Sequence, residues 1–343
     1  MTNEQWQRFL SVVHNRDSFQ VEPCLIVDSP FLPEVGGCST LEYLTIQEKW
    51  MEANFKVFER FPDVIFLPGT WVEYGVATEP SALGTPLKWW KDSPVTAIHY
   101  LESAADAAKL SVPDPETNGL MPVVLQWQEY VLPLLQERGH DIKVVVARGP
   151  MAIASQVRGM TELLMDTKLE PEACKGLIEL CTETAIVWLK AQLERHPNAE
   201  AIQLHDDVIG MIGPEDYETF GHPYLERIFA EFPEHLHIFH NDSPGIPFIP
   251  RFADAGMEVF NYSHMEDTAA LDKEIGDRVC LMGNVPPVEV LSSGTPEETA
   301  ESAEALLDGF ERGILLSAGG GVSPGTKLEN IDALVEVAKK YSR

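Results

Sequence analysis

Short apolar runs alternate with longer amphipathic segments along the chain, and many of the short runs are rich in β-branched residues. Such short runs predict buried strands, and the longer segments, with apolar residues at a period of about 3.6, predict helices. The eight predicted strands comprise residues 22–28, 63–69, 142–149, 201–207, 236–242, 257–263, 279–284 and 313–320. Strands that alternate with helices are typical of a parallel sheet covered by helices.

Eight strands alternating with helices over 343 residues predict an α/β fold, a single (β/α)8 TIM barrel in one domain that spans residues 1–343. An amphipathic stretch at the start predicts an N-terminal helix. Residues 70–141, rich in proline, tryptophan and glycine, are expected to form a long insertion after the second strand that lies over the barrel mouth. An open doubly wound sheet is the alternative, but no G-x-G-x-x-G follows the first strand to support it.

The balance of charges limits the partners of the protein. The sequence has 25 Lys and Arg against 54 Asp and Glu, a formal net charge of −29, so nucleic acids and anionic membranes would be repelled. We therefore expect neither as a partner. The five cysteines include no C-x-x-C pair, which argues against a disulfide framework, and no apolar run is long enough to span a membrane. A reducing cytoplasm is the expected location.

Histidines lie at or just beyond the carboxyl ends of three neighbouring predicted strands. In a (β/α)8 barrel the active site forms at these ends, because the loops that follow the strands converge there. The fourth, fifth and sixth predicted strands end near His205, His240 and His264. Since adjacent strands are about 4.8 Å apart, these side chains can meet around one small ligand or ion.

Two imidazoles with one or two carboxylates suit a divalent metal such as zinc, with a position left open for water or substrate. We therefore predict His205 and His240 as metal ligands, and Asp206, Asp207 or Asp242 as a further ligand or proton acceptor. Other polar residues complete the candidate catalytic set: Asn241, Tyr262, His264 and Asn284. The alternative is structural: the aspartates cap the following helices, and the histidines satisfy backbone groups.

A glycine-rich turn and a group of aromatic residues are weaker candidates. Gly319, Gly320 and Gly321 end the last strand before a helix, where barrels often bind phosphate, so we predict a cofactor-binding turn. Consecutive glycines also serve close backbone packing or a simple tight turn. The candidates for an aromatic wall at the mouth are Phe31, Trp71, Tyr74, Trp89 and Trp90.

A series of motifs from about residue 110 to the C-terminus has a recognisable order. These are "PDPETNG", "ARGPMAIASQVRG", "HDDV", "PEDYETFGHPYLERIF", "FHNDSP", "GMEVFNYSHMED", "CLMGNVPP", "GTPEE" and "GGGVSPGTKLEN". In this order they resemble the uroporphyrinogen decarboxylase superfamily, which also contains cobalamin-dependent methyltransferases. The resemblance implies a (β/α)8 barrel, in agreement with the strand pattern, but leaves the activity open.

The chain departs from the residues that the resemblance to the decarboxylases implies. The stretch "SPFLPEVGG" has no arginine where those enzymes bind substrate carboxylates, and "FLPGTW" has no aspartate for the pyrrole nitrogens. Gln156 stands at the position of a family tyrosine, and Gly320 at that of a histidine. Most of the residues for porphyrinogen decarboxylation are thus missing, and an octa-anionic substrate fits poorly with a net charge of −29.

The methyltransferases of the superfamily look closer in layout, and the resemblance implies a zinc site made by a His-x-Cys and a second cysteine. Here the first motif reads His237-Ile238-Phe239, and the second cysteine position is Gly320. His237 alone therefore remains as a metal ligand of that kind. We expect His240, with His205 and a strand-end aspartate, to form a thiol-poor replacement site.

The resemblance therefore implies a methyltransferase of a corrinoid-dependent system. It would move a methyl group between a small-molecule substrate and a corrinoid held by a partner protein, with zinc as a cofactor. A decarboxylase of the uroporphyrinogen type, in tetrapyrrole biosynthesis, is the first alternative. A non-catalytic small-molecule-binding barrel is the second, because the usual residues of both branches are missing.

Overall fold

The computed structural model of the protein describes residues 1–308 and 310–342, so Gly309 and Arg343 of the predicted domain lie outside the described residues. All eight predicted strands are present, together with two very short ones. The strands are β1 (Val21–Ile26), β2 (Ile65–Leu67), β3 (Leu87–Lys88), β4 (Thr96–Ala97), β5 (Val144–Arg148), β6 (Ala201–His205), β7 (Leu236–Asn241), β8 (Val259–Tyr262), β9 (Cys280–Val285) and β10 (Ile314–Ala318).

Eight of these strands form one parallel sheet in the order β2-β1-β10-β9-β8-β7-β6-β5. The sheet curls into a nearly closed barrel with helices around it, which confirms the predicted (β/α)8 TIM barrel. Among the described residues β2 and β5 form no ladder with each other, and we call the gap between them the seam. Close to the start of β5, Thr2 forms an antiparallel bridge with His140 beside this seam.

Helices connect and surround the strands. The α-helices are α1 (Asn3–His14), α2 (Leu32–Gly36), α3 (Thr40–Thr45), α4 (Gln47–Arg60), α5 (Thr78–Ala82), α6 (Met121–Gln136), α7 (Pro150–Arg158), α8 (Met160–Leu169), α9 (Pro171–Arg195), α10 (Pro214–Phe220), α11 (His222–Ala230), α12 (Ile249–Asp254), α13 (Thr268–Ile275), α14 (Pro296–Leu307) and α15 (Leu328–Tyr341). Short 3-10 or π turns cover Ala104–Lys109, Val208–Met211 and Pro287–Ser292. None of the described helices combines the length and apolar content that crossing a membrane requires.

Inward and outward side chains alternate along the barrel strands and form two separate apolar cores. The inner core fills the barrel with residues such as Ile238 of β7, and Trp6 and Phe9 of α1 pack into it from the amino-terminal end of the strands. The outer core lies between strands and helices and contains Phe239 of β7. Because side chains alternate with a period of two, His240 points inward like Ile238, toward the carboxyl-terminal mouth.

The segment 70–141 has more regular structure than its composition predicts, because it contains an antiparallel hairpin of β3 and β4 as well as α5 and α6. Its first residues lie over the mouth, where the ring centre of Trp71 is 5.1 Å from that of His205. Farther along the segment, α6 packs against α9 in the outer helical layer.

Candidate active site at the barrel mouth

A row of polar side chains crosses the mouth on four adjacent strands. The strand register pairs Arg148 of β5 with His205 of β6. It pairs His205 in turn with His240 of β7, and His240 with Asn261 of β8. Because neighbouring parallel strands lie about 4.8 Å apart, register partners can face the same space.

His240 is held in one orientation by the side chain of Asn261. Its Nδ1 lies 2.7 Å from Asn261 Oδ1, while the Asn261 amide nitrogen donates to the carbonyl oxygens of Met282 (2.9 Å) and Ala318 (3.1 Å). Since the amide N–H groups are committed to carbonyls, Oδ1 accepts a hydrogen bond from His240 Nδ1. In the neutral imidazole, Nε2 therefore has a free lone pair, the atom that a metal ion would bind.

Two carboxylates lie near the free nitrogen of His240. Asp207 Oδ1 is 3.5 Å from Nε2, and one ligand atom each from Asp207, His240 and Asp242 lie within 4.8 Å of one another. The backbone N–H of Asp242 donates to Asp207 Oδ1 over 3.1 Å, which ties two strand ends together. Although Asp242 is exposed at the rim of the mouth, partial burial of its carboxyl, and then the negative charge of Asp207, raise its pKa above the ordinary value.

This Asp207–His240–Asp242 cluster fits a divalent cation. One imidazole nitrogen and two carboxylate oxygens form a donor set that zinc and similar ions accept, with positions left for other ligands. A cation would also offset the like charge that raises the pKa of Asp242. Three of the predicted site residues are thus brought together.

His205 lies beside the cluster and forms a wall of the mouth. Its ring centre is 4.6 Å from that of His240 and 5.1 Å from that of Trp71, and its Nε2 is hydrogen-bonded to the amide nitrogen of Gln203 over 2.8 Å. Burial lowers the pKa of His205 well below its ordinary value, and His240 and Arg148 lower it further, so the ring is neutral. The ligand atoms that converge among the described residues do not include His205.

Asp206 caps a neighbouring helix. Its carboxylate accepts hydrogen bonds from the backbone N–H groups of Met151 (2.9 Å), in the first turn of α7, and of Ile209 (3.3 Å). Gly149 permits this contact, because a Cβ there would overlap the carboxylate. The side-chain amide of Asn241 holds the backbone of Asp206 in place, because it donates a hydrogen bond to the Asp206 carbonyl oxygen over 2.6 Å. Burial raises the pKa of Asp206 to about 8, so this carboxyl is mostly protonated at neutral pH.

We expect Asp206 to make the protein less stable as pH rises. Between its ordinary pKa of 3.8 and the folded value of about 8, the unfolded chain has lost a proton that the folded protein keeps. The free energy of unfolding therefore falls by up to about 1.4 kcal/mol per pH unit from this group. Asp206→Asn should flatten the dependence measured by urea unfolding from about pH 5 to 8, whereas Asn at the exposed Asp92 should not. An unchanged slope in Asp206→Asn would mean that the folded carboxyl is ionised.

His237 lies on the outer face of β7, away from the mouth. Both ring nitrogens face backbone carbonyl oxygens, at 2.9 and 3.0 Å, and the ring stacks on Phe229 with centres 4.8 Å apart. Phe239 also faces outward, into the helical layer. The positions that correspond to the family His-x-Cys therefore share the outer face in this chain, whereas His240 lies on the inner one.

Tyr262 and Asn284 hold the loop after β8. Thr268 Oγ1 donates to Asn284 Oδ1 over 3.0 Å, so it accepts a hydrogen bond from the Tyr262 hydroxyl at 2.9 Å. The Asn284 amide donates to two carbonyl oxygens of the same loop, at 3.1 and 2.9 Å. These side chains position the loop that carries His264, and within the described residues their hydrogen bonds go to this loop and not to the Asp207–His240–Asp242 residues.

Two of the three glycines after β10 permit close packing. A Cβ at Gly319 would overlap the backbone of the half-buried His264. Gly320 has a φ of 115°, which favours glycine, and a Cβ there would lie 2.7 Å from Asp242 Oδ2. At Gly321 there is free space. The turn thus matches the packing alternative and keeps the loop after β8 and Asp242 against β10.

Asn261, which orients His240, is not evident from the strand ends, because it lies inside a strand. One signal was available: it is a polar residue within the apolar run 257–263. A buried polar side chain in such a run needs a hydrogen-bond partner, and here that partner is the histidine. Arg148 and Trp71 also belong to the mouth through their contacts with His205 and with each other.

The strands and helices define a (β/α)8 barrel, and the polar mouth lies where barrels of this class place their active sites. Residues 28–341 match the family Uroporphyrinogen decarboxylase (URO-D), and the chain belongs to this family. This confirms the resemblance found in the motifs. A solved methyltransferase from Methanosarcina mazei has the same fold, with a TM-score of 0.83 over 99% of both chains at 20% identity.

The curated proteins that the chain resembles include both activities. Uroporphyrinogen decarboxylase of Coxiella burnetii is 28% identical over 181 residues, and the match spans about half of each protein, 50% of this chain and 49% of that one. The methylcobamide:CoM methyltransferase MtbA of Methanosarcina acetivorans is 26% identical over 284 residues, 79% of each protein. These relatives are enzymes of two kinds, decarboxylases and methyltransferases.

Proposed function

We propose that the protein is a methyltransferase of a corrinoid-dependent system, which moves a methyl group between a small substrate and a corrinoid held by a partner protein. The observation that carries the proposal is the Asp207–His240–Asp242 cluster at the mouth, a set of ligands suited to zinc or a similar ion. Similarity to a methylcobamide:CoM methyltransferase over 79% of the chain supports the same class of reaction.

The residues of the chain prepare the site for a metal that they would hold through His240, Asp207 and Asp242. Such a metal would supply Lewis acidity at the substrate atom that gives or receives the methyl group. Asn261 fixes the tautomer of His240, so that Nε2 is directed at the carboxylates. The neutral ring of His205 lies beside His240, with ring centres 4.6 Å apart, and forms one wall of the site.

A decarboxylase of the uroporphyrinogen type is the second candidate, because the family match and the Coxiella burnetii relative favour it. The composition of the site argues against it. Gln156 and Gly320 replace two residues expected for that chemistry, and the carboxylates of Asp207 and Asp242 at the mouth would repel a porphyrinogen with eight carboxylates.

The two candidates are separated by assays on purified protein. With zinc added, we expect methyl transfer from free methylcobalamin to a small thiol, measured by the absorbance of cob(I)alamin; coenzyme M and the carboxylate 3-mercaptopropanoate are compared as acceptors. The thiolate forms the new S–C bond, and cobalt keeps the electron pair of the broken Co–C bond. A chelator should stop this reaction, and full activity without metal would contradict the assigned site. Release of CO2 from uroporphyrinogen, unaffected by chelator, would establish the decarboxylase instead.

A further inference from the structure

Arg148 lies at the seam, at one end of the row of polar side chains that contains His205 and His240. Its side chain donates a hydrogen bond to the carbonyl oxygen of Gly75 over 3.0 Å, and its guanidinium carbon lies 5.1 Å from the ring centre of Trp71. Gly75 and Trp71 belong to the segment after β2, so Arg148 bridges the two strand ends that form no ladder. Its register partner His205 connects it to the side of the mouth that carries the cluster.

Arg148 is a half-buried cation whose side chain makes no ion pair within 4.0 Å among the described residues, although the carboxyls of Asp28 and Glu79 lie close enough for its charge to lower their pKa values. Eight other arginines make ion pairs within 4.0 Å: Arg8, Arg60, Arg158, Arg195, Arg227, Arg251, Arg278 and Arg312. Of the five N–H donors of its guanidinium, the bond to Gly75 uses one. A guanidinium fork with free donors is well matched to the two oxygens of a carboxylate.

Two buried hydroxyl groups lie on the other side of the seam. Ser29 is 1% exposed and Thr70 is 8% exposed, and within residues 1–308 and 310–342 neither side-chain oxygen has a hydrogen-bond partner. Since the register pairs Ile26 of β1 with Leu67 of β2, both hydroxyls lie three residues beyond a paired position, on neighbouring strand ends. Buried hydroxyl groups usually have a hydrogen-bond partner, so each of these two has a bond to offer to a group that enters the mouth, either a ligand or a water molecule.

Asp28, next to Ser29, contributes a group that is partly protonated near neutral pH. Burial raises its pKa to about 7, the charge of Glu73 adds to the rise, and Arg148 opposes it. Burial raises the pKa of the nearby Tyr43 well above its ordinary value, and the charges of Glu73 and Asp28 add to the rise. The protonated carboxyl of Asp28 donates a hydrogen bond to an anion, whereas the ionised carboxylate repels one.

We propose that Arg148, Ser29 and Thr70 form a subsite that binds a carboxylate group of the substrate. This inference rests on the proposed function and names its substrate class: a small monocarboxylate whose methyl-donating or methyl-accepting atom reaches the cluster. The strand ends of Arg148 and His240 are two strands apart, about 10 Å, which a short carbon chain spans. A dianion such as phosphate is disfavoured by the carboxylate of Glu73 beside the subsite.

The test measures carboxylate binding without any reaction. Ligand-observed NMR titration of the chelator-treated protein is used, so that neither metal nor corrinoid takes part. Butanoate should bind, and neutral butanamide and inorganic phosphate should bind at least about tenfold more weakly. Arg148→Gln should weaken butanoate binding about tenfold, and Arg148→Lys, which keeps the charge but not the fork, should weaken it less. Arg138→Gln is the matched control, because this exposed arginine stacks on Phe55 and lies outside the mouth.

The pH dependence of butanoate affinity distinguishes a binding role of Arg148 from a structural one. Butanoate affinity should fall as the pH rises through about 7, because Asp28 then loses its proton, and Asp28→Asn should remove this dependence. Absence of butanoate binding, equal binding of butanoate and butanamide, or full binding by a folded Arg148→Gln variant would overturn the subsite.

A variant of the cluster separates this inference from the proposed function. His240→Ala should bind butanoate as the wild type does, since the subsite lies two strands away. Failure of methyl transfer together with selective butanoate binding would count against the proposed function alone. Loss of butanoate binding in His240→Ala would place the carboxylate at the cluster and overturn the seam subsite.

Discussion

Replacement of His240 by alanine is expected to remove metal binding and methyl transfer together. His240 supplies the imidazole nitrogen of the cluster, and its free lone pair faces Asp207. Changes to groups that merely support a metal ligand reduce affinity about 10- to 100-fold, so loss of the ligand itself should exceed about 100-fold. Metal analysis of the dialysed protein by mass spectrometry and the methylcobalamin assay measure the two effects.

His237→Ala is the matched control, because it removes the same side chain from the opposite face of the same strand. It should leave metal content and turnover unchanged, and lower the free energy of unfolding by about 1 kcal/mol through lost hydrogen bonding to carbonyl oxygens. The reverse result, metal lost in His237→Ala and kept in His240→Ala, would place the metal on the outer face of β7 and refute the cluster.

Gly319→Ala should destabilise the protein far more than Gly321→Ala, although both belong to one run of glycines. A Cβ at Gly319 would overlap the backbone of His264, whereas at Gly321 the nearest atom is the Ile26 carbonyl oxygen at 3.9 Å. Overpacking against backbone should lower the free energy of unfolding by about 1–3 kcal/mol, and the Gly321 variant should differ from wild type by less than about 0.5 kcal/mol. Urea unfolding measures both values.

Equal stability of the two variants would mean that the loop after β8 can move away from β10 without loss. In that case the glycines would not be needed for packing, and the predicted cofactor-binding role of the turn would be favoured. Phosphate titration of the wild-type protein, followed by its unfolding temperature, provides the independent measurement.

The fold could be predicted from the sequence because each barrel strand is a short apolar run bounded by polar or glycine residues. The alternation of eight such runs with helices leaves few topologies that bury them all. The hairpin of β3 and β4 could not be predicted, since strands of two residues have no periodicity to detect. The seam could not be predicted from the sequence either, because strand pairing is a tertiary property.

The sequence by itself determined which residues lie at the carboxyl ends of the strands, and hence the candidates His240, Asp207 and Asp242. Only the tertiary structure decided which of the residues at the strand ends come together at the mouth. Asp206 and Asp207 are adjacent in the chain, yet one caps α7 and the other approaches His240. The reason is the turn that follows β6: the strand ends at His205, and Asp207 has helical dihedral angles, φ −72° and ψ −27°, so the two adjacent carboxylates point to different neighbours. Where a strand ends is set by pairing with its neighbours, which is a tertiary property.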